Sequence, residues 1–317
     1  MTVPSPTVSV VVCTYADDRW PDLVAAIESI RRQTTAPLEI VVVVDHNAEL
    51  LERVRAELPD VVAVSNGEQR GLSGARNSGV DVARGDVIAF IDDDAVAAED
   101  WLEWLVAAYA DAHVLGVGGA AEPAWELGRP RRFPEEFDWV VGCTYRGMPV
   151  QRAEVRNLIG ANMSFRRDVL AAAGRFRSGI GRVGTRPIGC EETELCIRAR
   201  RRWSEGVFVF EPGARVAHRV PRHRVTLRYF GARCYAEGWS KAVVARLVGS
   251  ADGLSTERSY VRRTLPRAVV RGLADCVLRA DLGGLGRSLA VVFGLGCTTA
   301  GYAVGLATAR PNAPGET

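Results

Sequence analysis

Four short apolar runs separated by helix-length segments fill the first 92 residues, and this alternation constrains the fold more than any other feature of the chain. Residues 8–12 read as a buried strand, followed by an apolar helix face at Leu23, Ala26, Ile27 and Ile30 and a second strand at 40–44. A polar helix at 48–58, a short strand at 61–64, a helix around 75–83 and a fourth strand at 87–91 complete the series. Strand and helix in this order predict a largely parallel α/β sheet, whose ligands gather beyond the carboxyl ends of the strands.

A chain of 317 residues, 47% hydrophobic and 25% charged, has enough apolar surface for one large domain or two. Its 40 basic and 38 acidic residues nearly cancel, which argues against nucleic acid as a partner. Seven cysteines without a C-x-x-C pair point to reduced thiols rather than a disulfide framework. Only one basic residue is a lysine, Lys241, and no G-x-x-x-x-G-K surrounds it. The N-terminal residues lack a basic region and the run at 8–12 is short, so no signal peptide is expected.

Polar residues collect where the strands end. Thr14 and Tyr15 follow the first strand, Asp45 the second, and Arg70, Gly71, Arg76 and Asn77 lie in the turn and helix after the third. The fourth runs into Asp92, Asp93 and Asp94. Three adjacent carboxylates repel one another unless cations neutralise them, and hard oxygen ligands suit Mg²⁺ or Mn²⁺. The competing reading is that the acids cap a helix starting near Glu99.

Taken together, the blocks "VSVVVCTYADDRWPDLVAAIESI", "EIVVVVDHN", "GLSGARNSGVDVARGDVIAFIDDDA", "GANMSFRRDVL" and "GCEETELCIRARRR" resemble the family 2 glycosyltransferases of GT-A fold over residues 7–240. The resemblance implies an α/β GT-A domain, a Rossmann-like nucleotide-binding half with a mixed central sheet, followed here by C-terminal helices. It also implies inverting transfer of a sugar from a nucleotide-sugar donor (UDP-, dTDP- or GDP-linked) to a hydroxyl, with a divalent metal, Mn²⁺ or Mg²⁺, on the diphosphate. Carried over by position, Thr14 and Tyr15 fall at the nucleobase, Asp45 at the base or ribose, and Arg76 beside the nucleotide. Asp92 and Asp94 match the outer positions of the D-x-D motif. Asp94 is expected on the metal, Asp92 on the metal or ribose, and Asp93, an extra acid at the centre, can share either task. His218 in "ARVAHRV" resembles a further metal ligand, with His223 as the rival position.

The general base is expected in "GCEETEL", at Glu192, with Glu191 as the alternative. The family usually carries Asp at the position of Glu192, and the added methylene lengthens the reach by about 1.5 Å. The same acids also suit the first turn of a helix whose end is rich in arginine. Gly179, Gly181 and Gly184 satisfy G-x-G-x-x-G but lead toward Pro187 rather than a helix, which reads as an acceptor-side loop. Trp101, Trp104 and Tyr109 follow helical spacing and read as core, whereas Trp125, Trp139 and Tyr145 lie in an aperiodic segment suited to acceptor selection.

Residues 222–287 hold 12 arginines and Lys241 against five acids, a net charge of +8. Residues 288–309 then carry no charge, and as a helix would be about 33 Å long, enough to span a bilayer or to form a buried packing helix. Leu265, Val269, Leu273 and Cys276 or Val277 mark one apolar face of the preceding helix, with Arg267 and Arg271 off it, as on an anionic membrane surface. The expected organisation is a catalytic domain over 1–221 (donor half 1–120, acceptor half 121–221), a basic helical segment over 222–287 and a membrane-associated helix and tail over 288–317. The expected enzyme sits on the cytoplasmic face of a bacterial membrane and extends a lipid-linked or cell-envelope glycan. An oxidoreductase or a nucleotidyltransferase would need glycines in "CTYADDRWP", which has none, and a silent binding protein would not need both the acid run and Glu192.

Overall fold

The computed structural model describes residues 5–184, 188–249 and 255–308; Pro187 and the tail beyond 308 lie outside the described residues. In chain order the strands are β1 (Val8–Thr14), β2 (Glu39–Val44), β3 (Val62–Ser65), β4 (Val87–Asp92), β5 (Ala95–Ala97), β6 (Val114–Trp125), β7 (Ala153–Val155), β8 (Asn162–Arg166) and β9 (Val207–Val220). They form one sheet in the order β3-β2-β1-β4-β8-β6-β9-β5, with β7 on β9. Pairing from β3 to β4 is parallel, as the alternation predicts. Beyond β4 the sheet turns mixed, because β8 returns antiparallel between β4 and β6, and β5 and β7 run antiparallel to β9.

The central strands read as unbroken apolar runs because both faces are covered. Val10 and Val12 face α1 (Trp20–Arg31) through Leu23, Ile27 and Ile30, while Val11 faces α3 (Leu72–Val82). Gly79 is required there: a Cβ would come 2.5 Å from the Val11 side chain. α2 (Ala48–Glu57) is capped by Asn47, whose side chain accepts from the Leu50 amide. In α4 (Trp101–Ala108), Trp101 and the following Tyr109 are buried, but Trp104 is a correction to the expected core: it is 43% exposed, lying across Gly213 with its indole donating to Asp100. Helix α4 starts at Trp101, so the three aspartates do not cap it.

The later helices are α5 (Arg167–Ala173), α6 (Glu191–Arg202), α7 (Leu227–Val248), α8 (Ser255–Ser259), α9 (Leu265–Leu278) and α10 (Leu282–Thr308). A third cluster joins Phe133, Phe137 and Val220 to Phe230, Leu265 and Val291, so these helices share a core with the sheet's own loops. α9 and α10 form an antiparallel hairpin closed on its glycine side, where a Cβ on Gly272 would lie 2.6 Å from the Gly284 carbonyl. That closure turns Leu273 and Val277, the latter 80% exposed, away from the protein, while Leu265 goes into the core. The apolar stripe read from the sequence is therefore split, because contact follows Leu265, Ala268 and Gly272.

Helix α10 runs alongside α7 at backbone contact: a Cβ on Gly301 would lie 2.0 Å from the Tyr235 carbonyl, and one on Gly238 1.9 Å from the Thr298 carbonyl. Gly301→Val is expected to force the two helices apart and to lower stability by about 1–3 kcal/mol. A reduced urea midpoint of the variant in detergent solution would show this; an unchanged midpoint would mean that the helices are not clasped.

Candidate active site

Sheet register assembles the site. Asp92 pairs with Cys13 at the end of β1, Asp45 follows the Thr14–Val44 pair, and Ala95 lies opposite His218 on β9. The run of acids thus turns from β4 into β5 against the strand that carries the histidine. Ligand atoms of Asp92, Asp94 and His218 all lie within 4.8 Å of one another. His218 Nε2 is 3.2 Å from Asp94 Oδ1 and 3.6 Å from Asp92 Oδ2, and Cys143 Sγ is 3.8 Å from the other ring nitrogen. His223 lies apart, edge-on to Tyr229.

Further cations complete the neutralisation. Arg19 reaches Asp93 at 2.7 Å and also pairs with Asp94, while Arg224 donates to Asp94 at 3.1 Å. Burial opposes ionisation of Asp94, but His218, Arg224 and Arg19 hold its pKa well below the carboxylate range. Burial pushes Asp93 up to about 7, with Asp94 and Asp92 adding to the rise and Arg19 opposing it. Burial alone would lower the His218 pKa, yet Asp94 and Asp92 raise it. Thr14 Oγ1 and Asp93 Oδ2 are buried without a hydrogen-bond partner among the described residues.

Two adjoining hollows share Asp92. The smaller, about 60 Å³, is bordered by Thr14, Tyr15, Asp45, Asp93 and Asp94; the larger, about 440 Å³, by Arg76, His218, Glu191 and Glu192. Asp45 also ties down the next loop, accepting from Asn66 Nδ2 at 2.7 Å and from the Gly71 amide at 3.0 Å. Arg76 is enclosed: it donates to Glu191 at 2.7 Å and to the Gly160 carbonyl at 2.9 Å, with Asp92 3.7 Å away. Cys190 precedes the two glutamates in a left-handed conformation, φ 72°, which starts α6 at the cavity wall. Arg76 binds Glu191, whereas Glu192 has no cation within ion-pair distance among the described residues; burial and Glu191 push its pKa up to about 8. Farther along α6, Glu194 pairs with Arg198.

The family model of Glycosyl transferase family 2 matches residues 9–174. The chain is 37% identical over 305 residues to the glucosyl-dolichyl phosphate glucuronosyltransferase of Haloferax volcanii, covering 95% of this chain and 96% of that protein. This chain belongs to glycosyl transferase family 2. The succinoglycan biosynthesis protein ExoM of Rhizobium meliloti is 29% identical, covering 72% of this glycosyltransferase and 71% of ExoM. Among solved structures, the mannosyltransferase PcManGT of Pyrobaculum calidifontis, in complex with GDP-Man and Mn²⁺, superposes with a TM-score of 0.57 at 20% identity over 96% of this chain and 86% of that one. GalNAc-T7 with UDP, GalNAc and Mn²⁺ gives 0.52 at 17% identity over 75% and 50%. These likenesses establish the GT-A fold of the glycosyltransferase.

Several residues around the site carry no sequence signal of their own. Arg19 and Arg224 sit in single short 3₁₀ turns, and Lys241 lacks a motif, yet Arg224 and Lys241 both border the larger cavity. Asn162, at the start of β8, is a staple: it donates to the Ala120 and Ala214 carbonyls and accepts from the Trp101 indole. The glycine-rich loop is anchored to α3, where Ser73 Oγ donates to the Ile180 carbonyl and the Leu72 amide to that of Arg182.

The Glu192 carboxyl is favoured in its neutral form, so its contribution to stability is present below its ordinary pKa of 4.5 and is lost as pH rises through about 8. Glu192→Gln removes that loss. Relative to the wild type, the metal-free variant should gain stability between about pH 5 and pH 9. Parallel melting curves across that range would contradict the raised pKa.

Proposed function

We propose that this glycosyltransferase is metal-dependent and inverting, and that it transfers a hexosyl-type unit from a nucleotide diphosphate donor to a lipid-linked sugar. The observation that carries the proposal is the placement of Asp92, Asp94 and His218 on one side of a cavity whose wall also holds Glu192. Two carboxylates and an imidazole within 4.8 Å suit Mn²⁺ or Mg²⁺, and the buried unpartnered oxygen of Asp93 next to them fits a site built for a further cation or ligand group. Such an ion, when bound, supplies positive charge where the leaving diphosphate becomes more negative.

The chain's own groups perform the rest. Thr14, Tyr15 and Asp45 border the smaller hollow and receive the nucleoside, and Asp93 is available to its ribose. In its ionised form Glu192 takes the proton of the acceptor hydroxyl as that oxygen bonds to the anomeric carbon and the bond from carbon to diphosphate oxygen breaks on the opposite face, which inverts the centre. Its raised pKa brings the proton affinity of a carboxylate closer to that of its task. Arg76, by engaging Glu191 at 2.7 Å, leaves Glu192 as the base. Glu192→Gln is expected to cut transfer by at least about 100-fold while leaving nucleoside diphosphate affinity unchanged. Retained turnover would remove Glu192 from the chemistry.

Similarity to a protein named for a dolichyl phosphate-linked substrate favours a lipid-linked acceptor, and the helical layer favours a membrane site. Among the described residues only α10 is long and apolar enough to cross a bilayer. Crossing would carry α7, clasped along it, and its Arg233, Glu237 and Lys241 toward hydrocarbon. We therefore propose that the hairpin lies in the interface of the cytoplasmic leaflet, with Val270, Val277, Leu289 and Val292 in the acyl region and Arg263, Arg267 and Arg279 among anionic headgroups. Val277→Glu combined with Leu289→Glu should abolish flotation with anionic vesicles; unchanged flotation would place the contact elsewhere.

A further inference from the structure

The larger cavity does not end at the glutamates. It continues past Cys190 to α7, α8 and α10, where five charged side chains form a connected group. Arg156 grips Glu257 with two hydrogen bonds of 2.7 and 2.8 Å, and Lys241 lies 2.6 Å from Glu257 and 3.1 Å from Glu237. Arg233 donates to Glu237 at 2.9 Å, and Cys190 Sγ lies 3.5 Å from the same carboxylate. Burial opposes the ionisation of both glutamates, but their cationic partners bring each down to about 2. Within this group three cations meet two anions, a surplus of one positive charge among the five on the wall of a half-open cavity.

Arg233 is where that surplus is available. One of its five donors is used on Glu237, and the others have no partner among the described residues, although the side chain is mostly buried and borders the cavity beside Trp139. The rest of this end is amphiphilic: Tyr145 and Tyr260 lie on one side, and Val261, Leu265 and Leu295 lead toward the hairpin with the exposed apolar face.

We propose that this inner end binds the phosphodiester of a lipid-linked sugar acceptor, with the single negative charge on Arg233, the sugar directed to Glu192, and the first part of the lipid passing Leu265 and Leu295 toward the membrane. This rests on the glycosyl-transfer reading and adds the acceptor's site to it. A phosphodiester matches the surplus in charge, an isoprenoid matches the apolar exit, and Cys190 links the two ends, contacting Glu237 while preceding Glu191 and Glu192 in sequence.

Isothermal titration of the full chain in detergent with citronellyl phosphoglucose, with UDP or GDP plus Mn²⁺ as a separate arm, tests the assignment. Arg233→Gln should weaken citronellyl phosphoglucose at least tenfold without changing nucleoside diphosphate affinity, and Arg233→Lys should restore part of the loss. Leu295→Trp, which leaves every charge in place, should weaken citronellyl phosphoglucose but not glucose 1-phosphate, and decides the matter if Arg233→Gln does not fold. Unchanged binding of citronellyl phosphoglucose in both variants overturns the site. So does a selective loss of UDP-glucuronate affinity in Arg233→Gln, which would assign the cation to a donor carboxylate. If the wild type binds no nucleoside diphosphate, the glycosyl-transfer reading fails instead.

Discussion

Three consecutive carboxylates at the end of a central strand cannot stay charged in a closed space unless cations are brought to them, and much of this structure serves that need. Parallel pairing places β4 next to β1, so the acids open beside the loop that carries Arg19. Antiparallel pairing of β5 with β9 lays His218 across from Ala95, and the turn after β9 returns Arg224 to Asp94. Arg76, from α3, balances Asp92 on one side and Glu191 on the other. The result is a graded set of carboxylates: Asp94 is held firmly ionised, Asp93 is pushed toward neutrality, and Glu192 is poised near a proton-accepting range.

The parallel part of the sheet was legible because its physics is local. Buried parallel strands need continuous apolar runs, helices between them need one apolar face, and ligand groups collect at strand ends, so Thr14, Asp45 and Asp92 to Asp94 could be placed from spacing alone. His218, Glu191 and Glu192 were visible only through resemblance to a family, since nothing in the local pattern joins "ARVAHRV" to a carboxylate more than 120 residues earlier. Periodicity also fails to say what a helix face touches. Trp104 keeps helical spacing with Trp101 but meets the edge of β9, where Gly213 leaves a shallow surface seat, and α9 closes on glycines rather than on its larger apolar residues.

The inner end of the cavity was the least legible part, because its walls come from many separate stretches of chain. Phe137 and Trp139 lie in a segment without periodicity, Arg156 follows a short edge strand, and Lys241, Glu257 and Tyr260 come from helices beyond the sheet. Packing of α7 against α10 at glycine contact distance forms one of these walls. The regional charge excess of 222–287 therefore has two destinations. Some arginines lie on the exposed face next to apolar side chains, and Arg233, with the single lysine, is buried against Glu237 and Glu257. One helical layer in this way both closes the site and presents an apolar face outward.

The central claim is that the Asp92, Asp94 and His218 cluster exists to bind a divalent cation together with a nucleoside diphosphate. Calorimetric titration of the purified protein with UDP, GDP and dTDP, each with and without Mn²⁺, tests it most directly. Tight binding of one diphosphate that requires Mn²⁺ and is lost in Asp94→Asn is the expected result. Equal affinity with and without the metal, or affinity unaffected by Asp94→Asn, would contradict it.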